Sequence, residues 1–283
     1  MTQIESIIEL GLWLTTPPGR YLLAWEQERL DQAVTDIFGF HALQLGLPEI
    51  DGLRSNRMPH RWIASDSLTW PDAIDMPPSL DEYGEPLSIG PAPVALHCEP
   101  DALPFGDQVL DLVVMPHTLE MAADPHRALA EVARVLRPEG KVVIVGLNPA
   151  SLWGARQRLG HARLKLAGGQ RSLFLPRAGE FIGYWRLRDW LRLLGFEIEA
   201  GRFGCWRPPM ASQRWLDRFG WMDRIGAHWW PVFGAVYCVV AVKRVRGMRL
   251  IGLARSERGV PKTAPAPVAL NRHQIHRERE GNQ

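Results

Sequence analysis

The chain has 283 residues, of which 46% are apolar, and a formal net charge of +2 at neutral pH. That length supports one large domain or two small ones with a packed core, and the small charge argues against a dedicated nucleic-acid-binding protein. The three cysteines, Cys98, Cys205 and Cys238, lie far apart without metal-ligand spacing. We therefore expect a reduced, cytoplasmic protein without a metal site or a disulfide framework.

The apolar stretches indicate a protein without a membrane span. The first residues contain no basic segment typical of a secretory signal. The longest apolar stretch, residues 229–242, is shorter than a membrane-spanning helix and is interrupted by Pro231 and Gly234.

The N-terminal part predicts one helix and two strands. Residues 21–38 carry an apolar stripe at helical spacing, and residues 40–47 are typical of a strand that runs into a turn at Gly46. Residues 61–65 predict a second strand, and Asp66 follows it directly. An acid placed about twenty residues after a glycine turn commonly binds a ribose hydroxyl, but a helix N-cap or an exposed turn accounts for Asp66 equally well.

The central part predicts a strand, helix and strand unit of a parallel sheet. Buried strands are expected at residues 94–97, 110–115 and 141–146, whereas the proline-rich and glycine-rich residues 71–93 predict a long loop. Between the last two strands, Asp124 can cap a helix that residues 138–140 terminate. Ligands of such sheets bind at the carboxyl ends of the strands.

The C-terminal part predicts a helix at 185–194, a strand from residue 196 and a final strand at 234–242. Residues 206–230 are rich in large aromatic side chains, which can cover an apolar acceptor, lie on a membrane surface or, as we expect, form core. Residues 151–180 are basic, so they can bind an anionic acceptor or form a solvated surface. Residues 251–283 predict a flexible basic tail.

Several motifs together resemble the second half of class I S-adenosylmethionine-dependent methyltransferases, in particular the type 11 group. They are Asp101-Ala-Leu-Pro-Phe, Leu110-Asp111-Leu-Val-Val, Leu119-Glu120, Asp124-Pro125 and the run from Ala130 to Gly140. The resemblance implies a Rossmann-like α/β fold, in which a mostly parallel seven-stranded sheet has helices on both faces and a late antiparallel strand. Residues 1–250 would form this domain, with 151–235 containing a lid over the acceptor.

The resemblance also implies the cofactor site. Asp101 would bind the adenine amino group and the amide of Ala102 would face the ring, although Asp101 can also be a turn acid. Gln44 and Gly46 would face the methionine end and Asp66 the ribose. Gln44 stands where an acid is usual, and Pro48 and Ile50 interrupt the glycine-rich loop.

The implied function is transfer of a methyl group from S-adenosylmethionine to a small or medium acceptor that is apolar or anionic. His117, just past a strand end, is the candidate general base, with a structural histidine as the alternative. The rival hypothesis is a catalytically inactive methyltransferase-like binding or scaffold protein. A nucleotide-dependent dehydrogenase is a third alternative, but the sequence lacks the glycine fingerprint of that class. The aromatic segment is compatible with contact with a membrane surface. The oligomeric state is left open.

Overall fold

The computed structural model describes residues 10–65, 79–80, 86–87, 94–167, 173–175 and 181–244, which all belong to one compact unit, residues 1–245. Residues 10–14 are helical, and Ser79–Leu80 pairs with Pro86–Leu87 as a short antiparallel ribbon. The helices are α1 (Pro17–Val34), α2 (Thr118–Met121), α3 (Pro125–Val135), α4 (Leu152–Ala167), α5 (Tyr184–Leu193), α6 (Gln213–Arg218) and α7 (Trp221–Trp229). The strands are β1 (His41–Leu45), β2 (His60–Ser65), β3 (Leu96–His97), β4 (Leu110–Pro116), β5 (Leu136–Leu147), β6 (Phe196–Gly204) and β7 (Val236–Lys243).

The seven strands form one sheet in the order β3-β2-β1-β4-β5-β7-β6. The pairs among β1 to β5 are parallel, whereas β7 is antiparallel to both of its neighbours. Because β1 to β5 share one direction, their carboxyl ends meet at one edge, which we call the carboxyl edge. This arrangement confirms the expected mostly parallel sheet with its late antiparallel strand.

Helices cover both faces of the sheet because the strand side chains alternate between two cores. Val114 and Val143 pack with Leu22 and Leu30 of α1 on one face. On the other face of the sheet, Val113 and its neighbours pack with α3 and α5. The two-sided core confirms the predicted helices on both faces.

Helix α3 shows why the central prediction holds. The Asp124 carboxylate accepts hydrogen bonds from the amides of His126 and Arg127, at 2.9 and 3.1 Å, and Pro125 occupies the first turn. Strand β5 begins directly after the helix, at Leu136, five residues earlier than predicted. The predicted strand at 94–97 is shorter in the structure, and most of the predicted 71–93 loop lies outside the described residues.

Candidate cofactor cleft and apolar groove

Two hollows lie along the carboxyl edge. The first, which we call the cleft, is at the ends of β1, β2 and β4, where the resemblance places the cofactor. Its walls are Leu45, Gly46, Leu47, Ala64, Ser65, Cys98, Pro100, Thr118 and Met121. Its volume is only about 10 Å³, which is room for roughly one water molecule.

The turn after β1 is held by the side chain of Gln44. Its Nε2 donates to the carbonyls of Gly46, Leu47 and Ile50, at 3.3, 3.1 and 2.7 Å, and its Oε1 accepts from the amide of Gly52 at 2.8 Å. A carboxylate could only accept hydrogen bonds, whereas an amide also donates, so glutamine can bind carbonyls of the turn. Gln44 is completely buried by this turn.

The turn packs inward instead of leaving an open backbone. Ile50 is fully buried in the core beside α1, and Pro48 is buried as well. Gly46 and Leu47 both have positive φ, 74° and 39°, a backbone region in which a side chain such as that of leucine is uncommon. On the opposite wall, the Thr118 hydroxyl donates to the carbonyl of Leu45. Side-chain hydrogen bonds therefore close the cleft from two sides.

The loop that begins at Asp101 is positioned by α3. The Glu131 carboxylate accepts from the amide of Leu103 at 2.9 Å, and the Arg134 guanidinium donates to the carbonyl of the same residue at 3.2 Å. Hydrogen bonds to Arg134 also lower the pKa of Glu131 despite partial burial. Glu131 and Arg134 lie in the run from Ala130 to Gly140 that resembles the methyltransferase family. Their hydrogen bonds hold in place the loop that carries Asp101.

Asp101 is half-buried, and its carboxylate lies 3.6 Å from the guanidinium of Arg127, which is largely exposed. The neighbouring amide of Ala102 donates to the carbonyl of Glu99 at 3.1 Å. That amide would have to leave its local partner in order to bind a purine ring nitrogen.

His117 lies behind the cleft wall and turns away from it. Its Nε2 is 2.8 Å from Glu26 Oε1 of α1, and its Nδ1 is 2.7 Å from Glu120 Oε2 of α2. The other oxygen of Glu120 accepts from the amide of Leu147, at the end of β5. The three side chains, which we call the buried triad, thus connect α1, α2 and the end of β5.

The buried triad holds charge away from water. Burial opposes a charged imidazolium, but the Glu26 and Glu120 carboxylates outweigh it and hold the pKa of His117 well above its ordinary value. Burial raises the pKa of Glu26, although the imidazolium offsets part of that effect. His117 is 1% exposed and both ring nitrogens have partners, so a solvent-borne acceptor does not reach it in this arrangement.

A third buried carboxyl, that of Glu49, lies in the turn after β1. It is 4% exposed, and neither oxygen has a hydrogen-bond partner in the part of the chain that the structure describes. Burial raises the pKa of the Glu49 carboxyl to about 7. Glu49 was not singled out by the sequence, because a turn glutamate is ordinarily exposed.

The second hollow, which we call the groove, lies at the ends of β5 and β6 and the start of β7. It has a volume of about 580 Å³, which matches that of small-molecule sites. Its walls are almost wholly apolar, and they are Ala150, Ser151, Leu152, Ala155, Trp206, Trp221, Met222, Ile225, Gly226, Trp230 and Phe233. The expectation that the aromatic segment forms core is wrong, since Trp221 is 55% and Trp230 53% exposed.

A family model described as a methyltransferase domain matches residues 73–144, which include the Asp101 loop, β4, α2, α3 and most of β5. Residues 73–144 are therefore similar to a methyltransferase domain, in agreement with the motifs that resemble the type 11 group of class I methyltransferases. A demethylmenaquinone methyltransferase of Chlamydia pneumoniae is 39% identical over 54 residues, but that similarity covers 19% of this chain and 24% of the relative.

An uncharacterized protein of Escherichia coli strain K12, YafS, is 26% identical to this chain over 254 residues, with 89% of both chains covered. Methyltransferase structures from Archaeoglobus fulgidus and Mesorhizobium loti share 14% identity each, at TM-scores of 0.48 and 0.47. The alignment with the Archaeoglobus structure covers 78% of this chain and 94% of that structure's chain. The alignment with the Mesorhizobium structure covers 76% of this chain and 96% of that structure's chain.

The match to a methyltransferase domain implies S-adenosylmethionine as the cofactor. The cleft lies where that molecule is expected, but a hollow with room for about one water does not admit it between the described residues. Binding therefore requires a wall of the cleft to move, and the hydrogen bonds of Gln44 and Thr118 hold two of these walls in place.

The predicted site residues occupy three places. Gly46 lines the cleft, Gln44 lies beneath it, and Asp101 and Ala102 lie on the loop that begins directly after cleft residue Pro100. His117 lies in the buried triad, and Asp66 lies outside the described residues. Their functional roles stay predictions. Sequence reasoning missed Glu26, whose pairing with His117 spans 91 residues, and a glutamate on the inner side of α1 was the available signal.

Proposed function

We propose that this methyltransferase transfers a methyl group from S-adenosylmethionine to a small or medium apolar acceptor that binds in the groove. The observation that carries the proposal is the placement of the two hollows, since both lie on the carboxyl edge of one sheet. β4 and β5 are neighbours in that sheet, so the cleft and the groove are formed by adjoining strand ends.

An apolar acceptor suits the groove better than an anionic one. The wall contains one hydroxyl, that of Ser151, and no charged side chain. Two arginines of α4 point to other partners, because Arg156 donates to the carbonyl of Pro209 and lies over the ring of Phe174, and Arg158 donates to the carbonyl of Pro149. These guanidinium groups are not part of the groove wall, so they offer no direct ion pair to an acceptor inside it.

In this proposal Gly46, Asp101 and Ala102 contact the cofactor after the cleft opens, and Asp66 faces its ribose. Gln44 has a second role, because it holds the turn closed until the cofactor displaces it. His117 supports the cleft wall through the buried triad, so its role is to position Thr118 and Met121 and not to touch the acceptor. A closed majority state lowers the apparent affinity for a ligand by the fraction of molecules that are open.

Calorimetric titration with S-adenosylmethionine tests the cofactor part. The wild-type chain should bind weakly, and Gln44→Ala should bind more tightly because the turn loses its hydrogen bonds. Asn56→Ala is the matched control, since Asn56 is also a buried amide that pins a turn, through the carbonyls of Val34 and Ile37. It should lower stability and leave cofactor affinity unchanged. Weaker binding by Gln44→Ala alone would instead make Gln44 a direct cofactor ligand.

A second candidate is the catalytically inactive binding protein, which the narrow cleft favours. It would use the groove to hold an apolar ligand and would bind no methyl donor. Absence of heat at millimolar S-adenosylmethionine, in both the wild type and Gln44→Ala, would support this candidate. Transfer of labelled methyl from S-adenosylmethionine into a product soluble in organic solvent would reject it.

A further inference from the structure

The rim of the groove carries exposed apolar side chains in an arrangement that a soluble surface seldom shows. Among the groove residues, Leu152, Trp221, Ile225, Trp230 and Phe233 are between 39% and 55% exposed. Because all five line the same hollow, they form one contiguous apolar surface. Such a surface commonly marks a contact with another molecule or with a membrane.

The charge around this surface has one sign. The segments that form it, residues 149–163 and 206–233, contain seven arginines and two aspartates. Their arginines are Arg156, Arg158, Arg163, Arg207, Arg214, Arg218 and Arg224. Both aspartates lie near Arg207, at 3.9 Å for Asp217 and 2.8 Å for Asp223. The surrounding field is therefore positive.

Three of these arginines have no ion pair, hydrogen bond or aromatic-ring contact among the residues that the structure describes. Arg163, Arg214 and Arg224 are exposed, and none has an ion pair or a hydrogen bond within the described ranges. Arg224 lies on α7 between Trp221 and Ile225, so a guanidinium group projects from the same helix that supplies two apolar rim residues. Exposed tryptophans with adjacent free arginines are characteristic of helices that lie in the interface of an anionic membrane.

We propose that this face, consisting of the groove rim and its flanking arginines, docks on a bilayer that contains anionic lipids. The indole rings of Trp221 and Trp230 enter the interfacial layer, and Arg163, Arg214 and Arg224 contact lipid phosphates. No helix in the described part of the chain is long and apolar enough to cross a membrane, so the contact is peripheral. The groove then opens toward the bilayer, from which an apolar ligand can enter it.

Flotation with lipid vesicles tests the proposal, using the full chain without a methyl donor. The chain should float with vesicles of phosphatidylcholine and about one-third phosphatidylglycerol, and much less with phosphatidylcholine alone. Molar salt should release it, because the Debye length then falls to about 3 Å. Since no cofactor is present, failure here would leave the proposed methyl transfer standing.

Two double variants locate the surface. Arg214→Glu with Arg224→Glu should reduce binding to anionic vesicles by about 30-fold or more, and Trp221→Ala with Trp230→Ala by about tenfold or more. The charge control is Arg57→Glu with Arg192→Glu, and the apolar control is Phe38→Ala with Phe40→Ala. All four control residues are exposed and lie near the amino ends of β2, β6 and β1, at the opposite edge.

Three results would overturn the proposal. The first is an absence of binding to anionic vesicles, and the second is an equal loss of binding in the control variants. The third is a dimer, measured by light scattering, that Trp221→Ala with Trp230→Ala dissociates while vesicle binding is absent. A second copy of the chain would then be the occupant of this face. Circular dichroism of each variant identifies any that fail to fold.

Discussion

The cleft and the groove lie on one edge of one sheet, yet they are built by opposite means. The cleft is held narrow by polar side chains, since the Gln44 amide binds carbonyls within the turn after β1 and the Thr118 hydroxyl binds the carbonyl of Leu45 on the facing wall. The groove has walls of indole, phenyl and alkyl groups, and it stays open at about 580 Å³ against about 10 Å³. Hydrogen bonds draw the cleft walls together, because they form only at short distances. The aromatic side chains of the groove come from separate segments and leave space between them.

The buried triad connects α1 and α2 with the end of β5, and its removal is expected to have the largest effect. His117→Ala should lower the free energy of unfolding by about 3–5 kcal/mol, because it leaves the carboxyls of Glu26 and Glu120 buried without their cation. Urea denaturation followed by circular dichroism measures this loss. His161→Ala, an exposed histidine of α4, is the control and should change stability by less than about 0.5 kcal/mol.

A loss of less than about 1 kcal/mol in the unfolding free energy of His117→Ala would contradict this prediction. In that case the buried triad would contribute little to holding α1 against α2 and the end of β5. Glu26→Gln combined with His117→Ala sharpens the result, since removing a buried charge should recover part of the loss. A double variant as unstable as the sum of its parts would show that the two side chains act independently.

The parallel half of the fold could be predicted because its signals are local. Asp124 and Pro125 specify where α3 begins, and the Val-rich strands on either side are short and well bounded. The closed cleft could not be predicted, because it depends on which atoms the Gln44 amide binds. The pairing of His117 with Glu26 joins residues 91 positions apart, and no periodicity reports such a contact.

The aromatic segment shows the opposite limit of sequence reasoning. Trp215, Phe219, Met222 and Ile225 recur at a spacing that favours a buried helix face, and this led to the expectation of core. In the structure α6 and α7 are two short helices, and their tryptophans are exposed on the carboxyl edge. Periodicity shows that a helix has an apolar face, but it does not show what that face packs against. The apolar faces of these two helices do not pack against the sheet.

The turn after β1 buries the carboxyl of Glu49, which lowers stability when that carboxyl is ionised. The substitution Glu49→Gln measures this loss of stability. The pKa of Glu49 in the folded chain is about 7, above its ordinary value of 4.5. The stabilisation from its bound proton is therefore complete below pH 4.5 and is lost as the pH rises through 7. Glutamine does not titrate, so Glu49→Gln should gain about 2 to 3 kcal/mol relative to wild type between pH 5 and pH 8.5.

Unfolding free energies of both chains at the two pH values check this prediction. Glu99→Gln is the control, because Glu99 is exposed and its substitution should show no such dependence on pH. A gain that is the same at pH 5 and pH 8.5 would mean that Glu49 titrates as an ordinary glutamate. The turn at 46–52 would then be open to water, and the contrast between a closed cleft and an open groove would weaken.

The smallest effect on stability is expected in the groove, and it tests whether the two hollows are independent. Ala155 is exposed and lines the groove, so Ala155→Trp should fill space without removing any core contact and should change stability by less than about 0.5 kcal/mol. Binding of an apolar fluorescent dye should fall several-fold, whereas S-adenosylmethionine affinity should not change. Ala162→Trp, at an exposed position of the same helix outside the groove wall, should preserve both. If Ala155→Trp altered cofactor affinity as well, the two hollows would be coupled through β4 and β5, and the groove could not be treated as a separate ligand site.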